Sequence, residues 1–195
     1  SQTERFVFIS TDKAVNPLSV MGASKRIGEL WMKAMSQRSD TVFTSVRFGN
    51  VIGSRGSVVP TFTRQIEMGG PVTVTHPDMA RFFMSIPEAV SLVLQAAALG
   101  TSDGIYMLEM GEEVSILELA RRMIRLSGLR VHKDIEIAIT GIRPGEKLHE
   151  QLAYGRENLE GTEHPRIYRL KCSDDLVDLE TLSRAVSILM ANMHR

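Results

Sequence analysis

Four consecutive residues, Ser10-Thr11-Asp12-Lys13, bring two hydroxyls, a carboxyl and an amine to one point in the chain. They follow Phe6-Val7-Phe8-Ile9, a continuous apolar run of the kind that forms a buried parallel strand. Open α/β sheets bind ligands beyond the carboxyl ends of such strands, so hydroxyl, acid and base would arrive where a substrate sits. Thr11 and Asp12 also suit a plain turn cap, and the tetrapeptide alone is weak evidence. Met21-Gly22-Ala23-Ser24-Lys25 supplies a second group, with Met21 and Lys25 spaced to share one helix face. Taken alone, that pair reads as a core methionine beside a solvated lysine.

The elements that must hold these residues follow from periodicity. Phe6 to Ile9, a turn region from Asp12 to Ser19, a helical pattern from Val20 to Ser36 and a strand-like run from Val42 to Val46 predict a parallel crossover unit. A buried parallel strand needs neighbours on both edges, so a chain opening on one reads as part of a longer fold. Gly49 to Gly56 is a glycine-rich loop, and Val58 to Met68 predicts a helix ended by Gly69-Gly70-Pro71. A short strand near Val72–Thr75, a helix from Pro87 to Leu99 and a strand over Ile105–Leu108 follow. Ser115 is the expected N-cap of a helix to Leu126, with Glu118 completing a capping box. Ile135 to Ile139 reads as a strand, Arg143 through Leu152 as a turn into a short helix, and Leu179 to Met193 as a closing helix. The fold class is therefore α/β: the carboxyl-terminal part of a dinucleotide-binding Rossmann-type fold over residues 1–55, with the catalytic residues, and a smaller mixed α/β substrate domain over residues 56–195 that can return elements to the first. No G-x-G-x-x-G follows a strand; Gly53 and Gly56 show only a G-x-x-G spacing, so the usual pyrophosphate cradle is missing from this sequence.

Composition narrows the partners. The 195 residues are 43% hydrophobic and 24% charged, enough for one core or for a domain plus part of another. Basic and acidic residues number 23 each, which removes the electrostatic case for nucleic acid and leaves an anionic small molecule held by a few arginines. Cys172 is the only cysteine, excluding an intrachain disulfide framework, and is read as structural. No apolar run approaches a membrane span and Ser1-Gln2-Thr3-Glu4-Arg5 is no signal peptide, so a cytoplasmic segment without membrane contact is expected.

Four motifs, in order, carry a resemblance. They are Phe8-Ile9-Ser10-Thr11-Asp12-Lys13-Ala14-Val15-Asn16-Pro17, Met21-Gly22-Ala23-Ser24-Lys25-Arg26, Arg47-Phe48-Gly49-Asn50-Val51-Ile52-Gly53-Ser54-Arg55-Gly56-Ser57-Val58-Val59-Pro60 and Gly141-Ile142-Arg143-Pro144-Gly145-Glu146-Lys147-Leu148-His149-Glu150. The sequence resembles the carboxyl-terminal half of UDP-N-acetylglucosamine 4,6-dehydratases of bacterial polysaccharide and glycan biosynthesis, which are extended short-chain dehydrogenases. Similarity runs from the first strand to about Leu152, and more weakly through Thr162-Glu163-His164-Pro165. Met21 stands where the Tyr-x-x-x-Lys signature has tyrosine, as in the large, often membrane-anchored branch that retains configuration at C5.

The resemblance implies NAD as cofactor and a UDP-N-acetylhexosamine as substrate: oxidation at C4, loss of the C5 proton and of water from C6, and return of the hydride to C6. Lys13 is the implied base at C5, Asp12 the acid at the C6 hydroxyl and Thr11 the hydrogen-bond partner of the C4 oxygen. Methionine cannot take the C4 hydroxyl proton, leaving water, Thr11 or Asp12 with Lys25 as candidates. Ser10, Lys25, Phe48 and Asn50 are the implied cofactor contacts, with Lys25 on the nicotinamide ribose. Asn50, Ser57, Val58, Arg81, Arg143 and Glu146 are the implied substrate contacts: N–H groups of Ser54 to Val58 and the two arginines at the diphosphate, Glu146 at the uridine ribose. Lys147, His149 and Glu150 read as helix surface, and His76 as structural. No metal ligand set is expected. A homo-oligomeric and membrane-anchored parent fits the family. A UDP-sugar 4-epimerase, a C5-inverting dehydratase and a non-catalytic sugar-nucleotide-binding module are the other readings, and an isolated chain of this kind would be inactive and bind NAD weakly.

Overall fold

The computed structural model describes residues 3–54, 56–102, 104–153, 159–171 and 178–192. Arg55, from the expected anion-binding loop, and Cys172 lie outside the described residues. The chain opens with strand β1 (Arg5–Ile9), a 3-10 turn (Asp12–Ala14), helix α1 (Val20–Ser36), β2 (Val42–Arg47) and β3 (Asn50–Val51). Helix α2 (Val58–Glu67), β4 (Val72–Val74), β5 (Ala80–Arg81), β6 (Phe83–Met84), α3 (Ile86–Leu99) and β7 (Gly104–Leu108) come next. The remainder is β8 (Val114–Ser115), α4 (Ile116–Leu126), β9 (Ile137–Ile139), β10 (Leu159–Gly161), β11 (Ile167–Leu170) and α5 (Leu179–Asn192).

These elements divide into two compact units, with α3 running from the second into the first. The first comprises residues 1–47, 92–109 and 152–195. Its five-stranded sheet has the order β1-β2-β7-β11-β10: β1, β2 and β7 are parallel, β11 is antiparallel to β7, and β10 is antiparallel to β11. β1, α1 and β2 form the expected parallel crossover, with Ile9 in register with Val46. Ile105, Met107 and Leu170 form one core cluster, and Val46, Leu108 and Ile167 are also fully enclosed. β1 departs from the expectation of a buried strand. Among the described residues it pairs with β2 alone and lies at the sheet edge, where Phe6 and Ile9 keep 44% and 43% of their surface exposed.

The second unit comprises residues 48–91 and 110–151. It holds three two-stranded pairings, β3 with β6, β4 with β9 and β5 with β8. Its core gathers Phe62 and Ile66 from α2, Val72 and Val74 from β4, and Ile116, Ala120 and Ile124 from α4. The spacing of those last three is one helix stripe, which is why α4 can bury one face and expose its arginines on the other. Ser115 caps α4 by accepting from Glu118 N at 3.3 Å, while the Glu118 carboxylate pairs with Arg121 instead of closing the capping box.

The helix expected from Arg143 through Leu152 does not form. Gly141 and Gly145 adopt positive φ, and the carbonyls of Lys147 and Leu148, which a helix would use internally, accept from Arg81. β3, β5, β6, β8, β10 and β11 were not expected, and most are too short to show a period. Among the described residues no helix is long and apolar enough to cross a membrane.

Candidate active site

Ser10 extends the β1–β2 ladder by one residue, donating from its N–H to Val46 O at 2.8 Å. The chain then turns: Thr11 is extended and its Oγ1 accepts from Lys13 N at 3.4 Å, while Ala14 N and Val15 N donate back to the Thr11 and Asp12 carbonyls. Ala14 and Val15 are fully buried, so the turn is held by both hydrogen bonds and packing. Asp12 is also fully buried, and its Oδ1 accepts from Thr11 Oγ1 at 2.8 Å and from Lys13 Nζ at 2.9 Å. Asp12 Oδ2 is enclosed and accepts no hydrogen bond among the described residues. The lysine side chain is 26% exposed, whereas the Asp12 side chain is shut in.

α1 is brought against this turn by an absent side chain. A Cβ on Gly22 would lie 2.2 Å from Lys13 O, so only glycine lets the first turn of the helix rest on that carbonyl. Ser19 caps the helix by accepting from Gly22 N at 3.2 Å. Met21 is about half exposed, and Lys25 lies one turn further along. Lys25 Nζ donates to Ile9 O at 2.9 Å and stands 5.0 Å from the centre of the Phe8 ring. The structure thus gathers Thr11, Asp12, Lys13, Met21 and Lys25 around the carboxyl end of β1.

Two residues given no role from sequence lie immediately beneath. Glu29, one turn beyond Lys25, is buried and accepts from Ser10 Oγ at 2.6 Å, from Arg47 Nε and Nη2 at 2.6 and 2.5 Å, and from Arg26 Nη1 at 3.0 Å. Burial pushes the Glu29 carboxyl up, but the hydrogen bonds and charge of Arg47, with further bonds from Ser10 and Arg26, outweigh it and hold the group below its ordinary value. Arg47 is wholly buried at the end of β2. An ionic residue closing an otherwise strand-like run, and a glutamate on the same helix as Lys25, were the available signals. The Ser10 hydroxyl, expected at the cofactor, points to this carboxylate.

The second unit holds the other expected residues. Phe48 is half-buried, Asn50 opens β3 with its N–H on Phe82 O at 3.1 Å, and Ser57 and Val58 start α2. Ser57 Oγ makes no capping bond and is enclosed without a partner among the described residues. Arg81 is 8% exposed and donates to the carbonyls of Ala80, Lys147 and Leu148 at 2.7 to 2.9 Å, with Glu146 at 3.6 Å and Glu150 at 3.9 Å. Glu146 accepts from Arg143 N at 3.2 Å, so Arg81, Arg143 and Glu146 come together in one turn. The Arg143 side chain is exposed. Glu150, expected on a helix surface, is buried beside Arg81, whereas His149 is exposed and bonded to Glu113 at 2.8 Å. No cluster of three His, Cys, Asp or Glu able to hold a metal occurs among the described residues.

The parallel β1, β2 and β7 with helical crossovers make a Rossmann-type α/β fold, and solved structures share it. The X-ray structure of Pen from Bacillus thuringiensis superposes with a TM-score of 0.77 at 29% identity, covering 97% of this chain and 62% of that one. DesIV from Streptomyces venezuelae, a dTDP-glucose 4,6-dehydratase with NAD and TYD bound, superposes at 0.69 with 20% identity, over 96% and 60% of the two chains. Residues 1–172 match the family described as polysaccharide biosynthesis protein, and the chain belongs to that family. It is 54% identical over 171 residues to the capsular polysaccharide biosynthesis protein CapD of Staphylococcus aureus, covering 87% of this chain and 28% of that protein. The chain therefore spans less than a third of that relative's length.

Proposed function

We propose that the protein carrying this chain is an NAD-dependent nucleotide-sugar dehydratase that converts a UDP-N-acetylhexosamine to its 4-keto-6-deoxy product, retaining configuration at C5, in polysaccharide or glycan assembly. The observation that carries this reading is the Thr11–Asp12–Lys13 cluster, two donors converging on one buried carboxylate at the end of β1. An epimerase needs no acid and base for C5 and C6. The cluster provides both.

When bound, NAD supplies hydride acceptance at C4 and hydride return at C6. Lys25 suits its nicotinamide ribose: an ammonium has three donors, one is used on Ile9 O, and the group stands at the carboxyl end of β1. The sequence holds no glycine-rich turn for the pyrophosphate, so the fit is to the nicotinamide end.

Three proton movements fall to the chain. Met21 has no acid–base group, so Thr11 takes the C4 hydroxyl proton as its own passes to Asp12 Oδ1, across the 2.8 Å bond already present. Lys13 acts as the free amine, removes the C5 proton, and reprotonates C5 after its hydrogens have exchanged with solvent. The departing C6 hydroxyl leaves as water with a proton from Asp12, delivered through the partly exposed Lys13, since Asp12 itself is shut in. The proton lost at O4 balances the one leaving in water. In the second unit, Arg143 and the α2 start bind the diphosphate, Glu146 accepts from the uridine ribose, and Arg81 contributes by holding that turn.

Incubation with UDP-N-acetylglucosamine and NAD, followed by proton NMR, is the test. A new C6 methyl signal supports the reading, and a C4 epimer with its C6 hydroxymethyl intact removes it.

A further inference from the structure

We infer that Glu29 is a positioning residue for the reaction centre, and that it acts through the Ser10 hydroxyl. The inference deepens the dehydratase reading and rests on it for its kinetic arm. Three chain segments must stay in register for Lys25 to face the Thr11–Lys13 turn: the end of β1, helix α1 and the end of β2. Glu29 is where they meet. Its Oε1 takes the Ser10 hydroxyl at 2.6 Å and Arg47 Nε at 2.6 Å, and its Oε2 takes Arg47 Nη2 at 2.5 Å. The arginine fork fixes the plane of the carboxylate, so the remaining bond to Ser10 has a defined direction.

Ser10 is held twice, by its N–H on Val46 O and by its hydroxyl on Glu29, and the next residue is Thr11. On the other side, Glu29 and Lys25 are one turn apart on a helix whose N-terminal end already rests on Lys13 O at Gly22. Gly22 attaches the turn to α1 sterically. Glu29 attaches it through a hydrogen bond from the Ser10 hydroxyl to a carboxylate. Loosening the second lets the Thr11–Asp12–Lys13 turn rotate about the first, while the hydrophobic core is untouched.

Substituting Glu29 leaves Arg47 buried and uncompensated and risks failure to fold, so Ser10→Ala is the informative variant. It removes one hydroxyl and leaves the Glu29–Arg47 fork in place. Amide hydrogen exchange, read by NMR on this chain, is expected to speed up about tenfold at Ala14 and Val15, whose N–H groups close the turn, with Val72, Val74 and Ile124 of the second unit unchanged. In the protein carrying this chain, Ser10→Ala is expected to lower kcat about tenfold while KM for the UDP-sugar stays within about twofold. Exchange that is unchanged, or raised equally in both units, overturns the inference, as does a loss confined to KM. If the unsubstituted protein makes no dehydrated product, the function reading fails while the exchange result still decides the role of Glu29.

Discussion

In the proposed site Lys13 and Asp12 differ in exposure: the lysine side chain is partly exposed and the carboxylate is enclosed. Lys13→Met is therefore expected to abolish dehydration, with a fall in kcat of roughly a hundred- to ten-thousand-fold, and to leave NAD affinity unchanged. Asp12→Asn should do the same, because an amide neither stores nor delivers the proton; steady-state kinetics beside an NAD titration check both. Full turnover in either variant would contradict the assignment. Gly22→Ala places a methyl against Lys13 O and is expected to cost about 1–3 kcal/mol in urea unfolding. Glu29 gives a pH signature. Its folded-state carboxyl lies below its unfolded value, so its contribution is complete above the ordinary glutamate value of about 4.3 and is lost as pH falls through the folded value. Glu29→Gln should lower stability at neutral pH by about 3–5 kcal/mol and flatten this acid limb, measurable as urea midpoints across acid and neutral pH.

Among elements, the long periodic ones were legible in the sequence; of the short strands, β4 and β9 were read and β3, β5, β6 and β8 were not. α1, β2, α2, α3 and α4 lie where the apolar patterns put them, because each buries one stripe or face for long enough to show it; β1 also lies where its apolar run put it, but without the burial expected of it. β10 and β11 join the main sheet from far along the chain, and nothing local in Leu159–Gly161 or Ile167–Leu170 announces a partner as distant as β7. The failed helix after Arg143 has a tertiary cause. Its carbonyls are taken by Arg81, and the arginine expected to face a ligand instead clasps the turn holding Glu146. Arg81→Ala should free that turn and destabilise the second unit by roughly 2–3 kcal/mol, read by chemical denaturation. Arg81→Lys should restore little, since one ammonium cannot match a fork spread over three carbonyls. The Glu29–Arg47 pair was unreadable for a similar reason: its meaning lies in a meeting of helix and strand that spacing alone does not reveal.

For the whole molecule, the proposed reaction centre, Thr11 to Lys13 with Lys25, falls in the first unit, and the proposed UDP contacts fall in the second. The motif order in the sequence was enough to anticipate the α/β class, which the structure shows, and a place in polysaccharide biosynthesis, which the family match shows. Sequence placed a boundary at residue 55 and allowed later elements to return to the first part; the first unit is assembled from residues 1–47, 92–109 and 152–195. Calorimetric titration of this chain should find UDP bound and NAD bound weakly, because the diphosphate and ribose contacts proposed for UDP are here while the glycine-rich turn for a dinucleotide pyrophosphate is not. The most direct measurement is turnover of UDP-N-acetylglucosamine by the protein carrying this chain, with NAD, in deuterated water. The account predicts a C6 methyl built from the sugar's own hydrogens and a single deuterium at C5, delivered by Lys13. A product epimerised at C4 with its C6 hydroxymethyl intact, or deuterium in the methyl group instead of at C5, would contradict it.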